Sequence, residues 1–268
     1  MRTFLAALTA LMLFATPVVA GDYEDGLAAY GAGDYQKAFR LWKPLAERGY
    51  AVVQYNLGLM YDLGQGVFKD DTKAVHWYRE AAERGYVSAQ HNVGVMYRTG
   101  QGVSKDEAKA FHWFSKAAEQ GYAKAQYNLG VMHANGEGVS KNDLKSVHWY
   151  RKAAEQGYVN AQYNLGQKYR KGEGIPKDDA KAVYWYRKAA QQGDAEAQFN
   201  FGSMFANGKG VSKNYVEAYA WWSTAVAQGD ENAKKNKDII KGLMTPAQIA
   251  EAQKLSSELW EKYVVPFQ

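Results

Sequence analysis

Apolar and polar residues alternate along most of this chain in two helical patterns separated by a short glycine-rich stretch. In residues 51–63, Gln54 and the residues at i+3, i+4 and i+7 form one stripe, a spacing that is typical of an amphipathic helix. Residues 71–83 repeat this spacing around Trp77. Each such unit is therefore predicted to fold as helix, loop, helix.

The same unit recurs five times at a fixed spacing of 36 residues. Tryptophan and glycine positions recur in the same frame, so three independent markers define one period. A fixed period of this length predicts a repeat architecture rather than a single enzyme core. The phrase Gln-(Tyr/His/Phe)-Asn-apolar-Gly begins at Gln54, Gln90, Gln126, Gln162 and Gln198.

Glycines and N-cap residues mark where each helix begins and ends. Gly58 lies inside a helix, where glycine costs ~1 kcal/mol relative to alanine, so we expect a neighbouring helix to approach closely there. Gly64 and Gly66 end the first helix, where positive φ is expected. The second helices are predicted to start at the N-cap residues Asp70, Asp106, Asn142, Asp178 and Asn214.

Three motifs of the unit resemble the Sel-1-like repeat, a relative of the tetratricopeptide repeat. They are Ala-x-Ala-Gln-x-Asn-Leu-Gly-x-x-Tyr, Gly-x-Gly-Val and Lys-Ala-x-x-Trp-Tyr-x-Lys-Ala-Ala-Glu-Gln-Gly. The resemblance implies an all-α fold, namely an α/α solenoid in which stacked helix-turn-helix repeats form a right-handed superhelix. It covers residues 51–86, 87–122, 123–158, 159–194 and 195–230.

The regions outside these five repeats are predicted to cap them. Residues 21–50 contain a shorter, tetratricopeptide-like copy, which we interpret as the N-terminal cap. The repeat pattern does not continue in residues 231–268. This region contains the basic residues Lys234, Lys235 and Lys237, which we interpret as solvated surface. Thr245 and Pro246 then predict the start of a capping helix, which is followed by a tail.

Residues 1–20 are of a different kind and resemble a secretory signal peptide. Arg2 precedes an apolar run from Phe4 to Ala15, and cleavage is expected after Ala20. The run is about a dozen residues long, which is short for a bilayer span of roughly 20. We therefore expect a secreted bacterial protein, periplasmic or extracellular, without a membrane span; a retained N-terminal anchor is the alternative.

Charge and cysteine content narrow the possible functions. The chain has 33 Lys and Arg against 28 Asp and Glu, well mixed along its length, so a nucleic-acid partner is not expected. There are no cysteines, which excludes disulfides, thiol nucleophiles and cysteine-based zinc sites.

Candidate catalytic residues are not found. His76, His112 and His148 share one repeat position, while His91 and His133 replace aromatic residues of other repeats, so we interpret all five as structural or surface variants. His-Glu-x-x-His, Gly-x-Ser-x-Gly and Ser-x-x-Lys motifs do not occur. We predict a non-enzymatic protein without a cofactor or metal; a β-lactamase-like hydrolase, known among cysteine-rich Sel-1-like proteins, is the weakest alternative.

The resemblance also implies a binding surface, because in tetratricopeptide arrays the first helices line a concave groove. We predict a monomeric adaptor whose groove takes an extended, somewhat acidic peptide or protein tail. The candidate residues are an aromatic ladder (Tyr55, His91, Tyr127, Tyr163, Phe199), an asparagine ladder (Asn56, Asn92, Asn128, Asn164, Asn200) and the cations Arg98, Lys124, Arg170 and Lys171. For both ladders, packing between adjacent helices is the alternative.

A second candidate surface is a row of lysines on the loop edge. Such a row would suit an anionic glycan or the cell wall, although each lysine has an acidic or amide neighbour. The row consists of Lys69, Lys105, Lys141, Lys177 and Lys213.

Overall fold

The computed structural model describes residues 17–267, and all of the regular structure in this range is helical. Residues 1–16, which hold most of the predicted signal peptide, lie outside the described residues. The helices are α1 (Pro17–Gly31), α2 (Tyr35–Glu47), α3 (Ala51–Leu63), α4 (Asp71–Glu83), α5 (Val87–Thr99), α6 (Glu107–Glu119), α7 (Ala123–Asn135), α8 (Asp143–Glu155), α9 (Val159–Lys171), α10 (Asp179–Ala190), α11 (Ala195–Asn207), α12 (Tyr215–Ala227), α13 (Glu231–Lys241) and α14 (Pro246–Tyr263), followed by a 3-10 turn (Val265–Phe267).

The chain forms two compact units, one up to Tyr122 and one from Ala123 onward. The first contains α1 to α6, and the second contains α7 to α14 and the terminal turn. Within each unit, the two helices of a repeat pack on each other, and the second helix packs on the first helix of the next repeat. This pairing is the helix-turn-helix stacking of an α/α solenoid, as predicted.

The predicted helix boundaries are confirmed by their caps. Asp70 Oδ1 accepts a hydrogen bond from the Lys73 amide at 2.9 Å, which satisfies one of the free donors of the first turn of α4. Gly64 ends α3 with a φ of 69°. The same side-chain capping occurs at Asp106, Asn142, Asp178 and Asn214.

Glycines inside the first helices make room for a large ring from the second helix of the same repeat. A Cβ on Gly58 would lie 2.5 Å from Cδ1 of Tyr78, which is fully buried. The expected close approach is therefore confirmed, and its partner is an aromatic side chain. The equivalent pairs are Gly94 with Phe114, Gly130 with Tyr150, Gly166 with Tyr186 and Gly202 with Trp222.

The last helix covers the end of the fifth repeat. The predicted helix after Thr245 is α14, which opens with a capping box of Thr245 and Gln248 and has Pro246 in its first turn. The helix packs on α12 and buries Leu259, and the ring of Tyr263 stacks on Trp221 with centroids 5.8 Å apart. No helix in residues 17–267 is long and apolar enough to span a bilayer.

Candidate functional site

In four repeats the recurring glutamine joins its repeat to the one before it in the same unit. Gln54 Nε2 donates to the carbonyl of Ala46, near the end of α2, at 3.0 Å. The same carbonyl also accepts from the Gly49 amide at 2.9 Å, so the glutamine uses its second lone pair. Equivalent bonds join Gln90 to Ala82 (3.1 Å), Gln162 to Ala154 (3.2 Å) and Gln198 to Ala190 (3.2 Å).

A second glutamine, at the end of the second helix, donates to the recurring glutamine of its own repeat in four repeats. Gln120 Nε2 donates to Gln90 Oε1 at 2.8 Å. We call each such pair of glutamines a glutamine clamp. The other clamps are Gln156 with Gln126, Gln192 with Gln162 and Gln228 with Gln198.

The repeat 51–86 lacks the second glutamine and has Arg84 instead. The arginine turns back along its own helix and donates to the Glu80 carbonyl at 2.8 Å and to the Glu80 carboxylate at 2.9 Å. Gln54 Oε1 is buried, and because the second glutamine is absent it accepts no hydrogen bond from the described residues. The clamp is therefore incomplete in this repeat.

The Gly-x-Gly loops are docking points between repeats. Gly102 has a φ of 69°, and a Cβ there would lie 2.2 Å from the carbonyl oxygen of Asp71, at the start of α4. Backbone therefore rests on backbone at the loop end of the repeat. The same close approach occurs between Gly66 and Tyr35, Gly174 and Asp143, and Gly210 and Asp179.

The predicted aromatic ladder is half-buried, because each ring packs against the second helix of its own repeat. Tyr55 lies 5.6 Å from the Tyr78 ring and 5.0 Å from the Tyr86 ring. Burial raises the pKa of Tyr55 to about 12, so the phenol is neutral at physiological pH. The other packing partners are Phe114 and Tyr122 for His91, Tyr150 and Tyr158 for Tyr127, Tyr186 for Tyr163 and Trp222 for Phe199.

The predicted asparagine ladder is more deeply set, and several of its members contact neighbouring phenols. Asn128 is buried, and the other four asparagines are half-buried. Asn92 hydrogen-bonds the phenol of Tyr55, in the preceding repeat, and Asn56 does the same for Tyr23. Asn200 donates to the Glu196 carbonyl within its own helix at 2.8 Å. These contacts support the packing alternative for part of this ladder.

The predicted cations differ in their burial and in the groups that they contact. Arg98 is half-buried, with its guanidinium 5.6 Å from the Phe114 ring that also packs against His91. Lys124 is exposed. Lys171 is also exposed, with Nζ 3.8 Å from the Glu173 carboxylate. The structure thus brings Arg98 and His91 together around one ring.

Gln167 connects Arg170 to the aromatic ladder and was missed in the sequence. Its Nε2 donates to the Tyr163 hydroxyl at 2.8 Å, and its Oε1 accepts from Arg170 Nη2 at 2.9 Å. Burial raises the pKa of Tyr163 to about 12. Most other repeats have an aliphatic residue at the position of Gln167, and this departure was the available signal. The equivalents are Leu59, Val95, Val131 and Ser203.

Lys168 is a second departure that was missed in the sequence. It replaces a methionine found at the same position of the other four repeats and is only 8% exposed. Its Nζ lies 2.7 Å from Asp143 Oδ1 and 2.9 Å from Glu173 Oε2. Burial lowers the pKa of Lys168, but the hydrogen bonds to these carboxylates outweigh burial and leave it raised. The same bonds lower the pKa of Asp143 and of Glu173.

The histidines lie in structural or surface positions, as interpreted. His76, His112 and His148 are exposed beside the tryptophan that follows each of them, and His133 is buried. Within residues 17–267 no three His, Asp or Glu side chains are arranged to hold a metal ion.

The lysines of the loop edge mostly have acidic neighbours two residues away. Lys69 lies 3.5 Å from Asp71, and Lys105 lies 2.8 Å from Glu107. Lys177 is 3.7 Å from Asp179. Lys213 lies over the Tyr215 ring at 4.7 Å. Local pairing therefore reduces the positive charge that this edge presents.

Comparison with known families now identifies the repeat. The family model described as Sel1 repeat matches residues 20–50, 51–86, 87–122, 123–158, 159–194 and 195–230. This chain belongs to the Sel1 repeat family. Sel1 repeat proteins are generally protein-interaction scaffolds.

Solved Sel1 repeat structures share this fold. One is c5321, a protective antigen of uropathogenic Escherichia coli with an SLR fold, which is 36% identical with a TM-score of 0.81. The match covers 90% of this chain but 53% of that one, so this chain spans about half of its length. Another, from Oxalobacter formigenes, is 32% identical with a TM-score of 0.74 and covers 88% and 96% of the two chains.

A curated relative matches over a short segment. The DAP3-binding cell death enhancer 1 of Rattus norvegicus is 46% identical over 43 residues, which is 16% of this chain and 8% of that protein. The match therefore spans little more than one repeat of the family.

Proposed function

We propose that this Sel1 repeat protein is a non-enzymatic scaffold that binds an extended, acidic segment of a partner protein on its first helices. The observation that carries the proposal is the Tyr163, Gln167 and Arg170 cluster on α9. There a half-buried ring and an exposed guanidinium are joined by two hydrogen bonds through one amide.

The cluster suits a carboxylate ligand. An arginine binds a carboxylate through two parallel hydrogen bonds, which gives both strength and orientation. Because Gln167 already restrains Arg170, less side-chain freedom is lost when a ligand binds. The half-exposed ring of Tyr163 adds apolar contact beside the charge.

The same repeat position carries an arginine in the other unit as well. In the unit that ends at Tyr122, Arg98 and His91 contact the same Phe114 ring. In the unit that starts at Ala123, Gln167 joins Arg170 to Tyr163. We propose that each unit binds acidic residues at this position. Lys124 and Lys171 add positive charge on the first helices of the second unit.

Fewer asparagines are assigned to ligand binding than the asparagine ladder contains. Because Asn128 is buried, Asn92 contacts Tyr55 and Asn200 bonds its own helix, we assign backbone recognition to Asn164. We further propose that the partner is met in the periplasm or outside the cell, on the basis of the signal-like residues 1–20. Mass spectrometry of the purified mature chain tests this location, with Gly21 as the expected first residue.

The ligand proposal is tested with an array of extended peptides that differ only in charge. We expect Glu- and Asp-containing peptides to bind the full chain most tightly, and Arg170→Ala to weaken that binding about tenfold, the value of one charge-assisted hydrogen bond. Lys254→Ala, at an exposed lysine of α14, is the matched control and should change nothing. Tightest binding of lysine-rich peptides, or equal loss in the control, would contradict the proposal.

A glycan ligand on the lysine edge predicts a different result. Binding through a row of lysines should fall steeply with salt, since exposed charges are screened within about 10 Å at 0.1 M ionic strength. The contacts of Lys69 with Asp71 and of Lys105 with Glu107 weigh against this ligand. Binding that is lost in Lys141→Ala and not in Arg170→Ala would favour it.

A further inference from the structure

At Tyr163, a carboxylate replaces one of the two aromatic neighbours that earlier members of the aromatic ladder have. Tyr55 lies between Tyr78, from its own second helix, and Tyr86, which precedes the next first helix. Tyr163 contacts the ring of its own second helix, but Asp194 occupies the position that corresponds to Tyr86. The environment of this ring is therefore more polar than that of the earlier rings. The complete pairs of neighbours are Phe114 with Tyr122 for His91 and Tyr150 with Tyr158 for Tyr127.

Asp194 and Glu196 bring two carboxylates to this junction of α9 and α11. Asp194 Oδ1 caps α11 by accepting from the Ala197 amide at 2.7 Å. Glu196 is exposed in the first turn of α11, and its carboxylate accepts from the Tyr163 hydroxyl. Burial raises the pKa of Asp194, the cap hydrogen bond lowers it, and the neighbouring Glu196 raises it further. Neither carboxylate forms an ion pair with a residue of the described range, so no direct partner neutralises their charge.

Arg170 lies near these carboxylates, but two neutral side chains hold it apart from them. Gln167 accepts from Arg170 at 2.9 Å and donates to the Tyr163 hydroxyl at 2.8 Å. That hydroxyl donates in turn to Glu196. Three hydrogen bonds thus separate the guanidinium from the carboxylate, a distance of roughly 10 Å or less. Because Arg170 also forms no ion pair within the part of the chain that the structure describes, this surface presents both signs of charge to a ligand.

An extended peptide can present two opposite charges at a matching spacing. The side chains of its residues i and i+2 point to the same side and lie roughly 7 Å apart. An acidic and a basic residue separated by one position can therefore meet Arg170 and Glu196 at the same time. A segment with acidic residues alone would bring a carboxylate against Glu196, which is unfavourable.

Given the proposed function, on which this inference rests, we propose that the junction of α9 and α11 selects partner segments in which a basic residue lies two positions from an acidic one. The acidic residue pairs with Arg170. The basic residue lies over the exposed part of the Tyr163 ring, which is a favourable position for a cation. Glu196 and Asp194 supply the carboxylates that bind its charge.

The earlier repeats do not offer this combination. A tyrosine occupies the position of Asp194 before each earlier first helix from α3 to α9, and the equivalents of Glu196 carry no carboxylate. Selection of a mixed pair is therefore confined to one junction of the array. The equivalents of Glu196 are Val52, Ser88, Lys124 and Asn160.

The test measures the binding of four fluorescein-labelled peptides to the full chain by fluorescence anisotropy. The peptides share one extended host sequence and differ in one triplet, which is Glu-x-Lys, Lys-x-Glu, Glu-x-Gln or Glu-x-Glu. Both orders of the mixed pair are included because a peptide can cross the helices in either direction. We expect one mixed peptide to bind about tenfold more tightly than the Glu-x-Gln peptide, the value of one charge-assisted hydrogen bond.

Two variants assign the preference to this surface. Glu196→Gln removes the charge and keeps the size of the side chain, so it should bring the mixed peptide to the affinity of the Glu-x-Gln peptide. Asp194→Tyr installs the residue of the earlier repeats and should reduce the preference as well. Tyr86 and Tyr158 precede their helices without a side-chain cap, so this variant should fold, which circular dichroism checks. Glu155→Gln, at an exposed glutamate of α8, is the matched control and should change no affinity.

Three results would overturn the selection of a mixed pair. Neither mixed peptide could bind more tightly than the Glu-x-Gln peptide, the Glu-x-Glu peptide could bind most tightly, or the preference could survive Glu196→Gln. In each case, a loss of affinity for the Glu-containing peptides in Arg170→Ala would leave the proposed function intact. If no peptide loses affinity in Arg170→Ala, the proposed function fails and the mixed-pair selection fails with it.

Discussion

Within each unit, the two ends of a helix pair hold neighbouring repeats together by different means. At the loop end, Gly102 sits so close to Asp71 that a single Cβ would overlap the backbone. At the opposite end, Gln90 donates to the Ala82 carbonyl of the preceding repeat, and Gln120 of its own repeat completes the glutamine clamp by bonding Gln90. The loop-end contact depends on close backbone packing, and the glutamine clamp depends on hydrogen bonds. Close packing leaves room only for glycine, whereas one repeat folds with Arg84 in place of the second glutamine of the clamp.

The largest expected effect comes from filling the loop end. Gly102→Ala should lower the free energy of unfolding by about 3 to 5 kcal/mol, because it combines positive-φ strain with overlap against a backbone atom. Gly121→Ala is the matched control, since Gly121 has a φ of 88° and nothing within 4 Å of its Cβ position. It should cost about 1 to 2 kcal/mol in urea unfolding of the full chain. Equal losses would show that the close approach is unimportant.

The second effect concerns a complete clamp and an incomplete one. Gln90→Ala should cost about 2 to 4 kcal/mol, because Gln90 bonds both Ala82 and Gln120 inside the protein. Gln54→Ala should cost less, since Gln54 has only its bond to Ala46. A double-mutant cycle of Gln90→Ala with Gln120→Ala should give a coupling energy of about 1 kcal/mol. No coupling would mean that the clamp contributes nothing.

Completing the unfinished clamp should stabilise the protein. Arg84→Gln should raise the free energy of unfolding by about 1 kcal/mol, because it supplies a donor to the buried Gln54 Oε1. Arg84→Leu is the control, since it removes the same surface contact with Glu80 and supplies no donor. A gain in the leucine variant as well would show that loss of the arginine is responsible.

The smallest effect on stability at neutral pH is expected at Lys168, a charged residue that replaces the methionine of the other repeats. Lys168→Met restores the residue of the other repeats and should change stability by less than about 1 kcal/mol, because buried ion pairs are readily replaced by apolar packing. Lys168→Ala should lose about 2 kcal/mol or more, because it leaves a cavity. A large loss in the methionine variant would show that the ion pairs themselves are needed.

Acid unfolding distinguishes these variants further. The folded protein lowers the pKa of Asp143 and of Glu173 below their ordinary values of 3.8 and 4.5, chiefly through hydrogen bonds from Lys168. A lowered carboxyl pKa contributes stability above the ordinary value, and that stability is lost as pH falls through the folded pKa. Below about pH 4.5 the native chain should therefore lose stability faster than Lys168→Met. Parallel pH profiles would contradict this.

The repeated features of the fold were predictable, because five copies report on the same physical demand. N-caps such as Asp70 mark each second helix, and the mid-helix Gly58 indicated a close contact that Tyr78 provides. Neither inference required long-range information, since each rests on residues of one repeat. The capping box of Thr245 was predictable for the same reason.

The candidate site was less predictable, because a residue's repeat position does not show which neighbour it touches. The aromatic ladder looked like open surface, yet Tyr55 lies between Tyr78 and Tyr86. The asparagine ladder predicts Asn92 as a ligand group, whereas in the structure Asn92 contacts the Tyr55 phenol. Gln167 and Lys168 were overlooked because their roles depend on partners in other helices or loops, such as Asp143.

The fixed contacts at the two ends of a repeat have a consequence for how such a chain can change its length. Within each unit, successive junctions use the same glycine and glutamine contacts. A duplicated or deleted segment of 36 residues therefore recreates a junction that already exists, whereas an insertion of any other length misplaces both ends at once. Gene rearrangement can lengthen this scaffold in whole steps without redesigning a single interface, and each added step brings a fresh surface that is free to diverge.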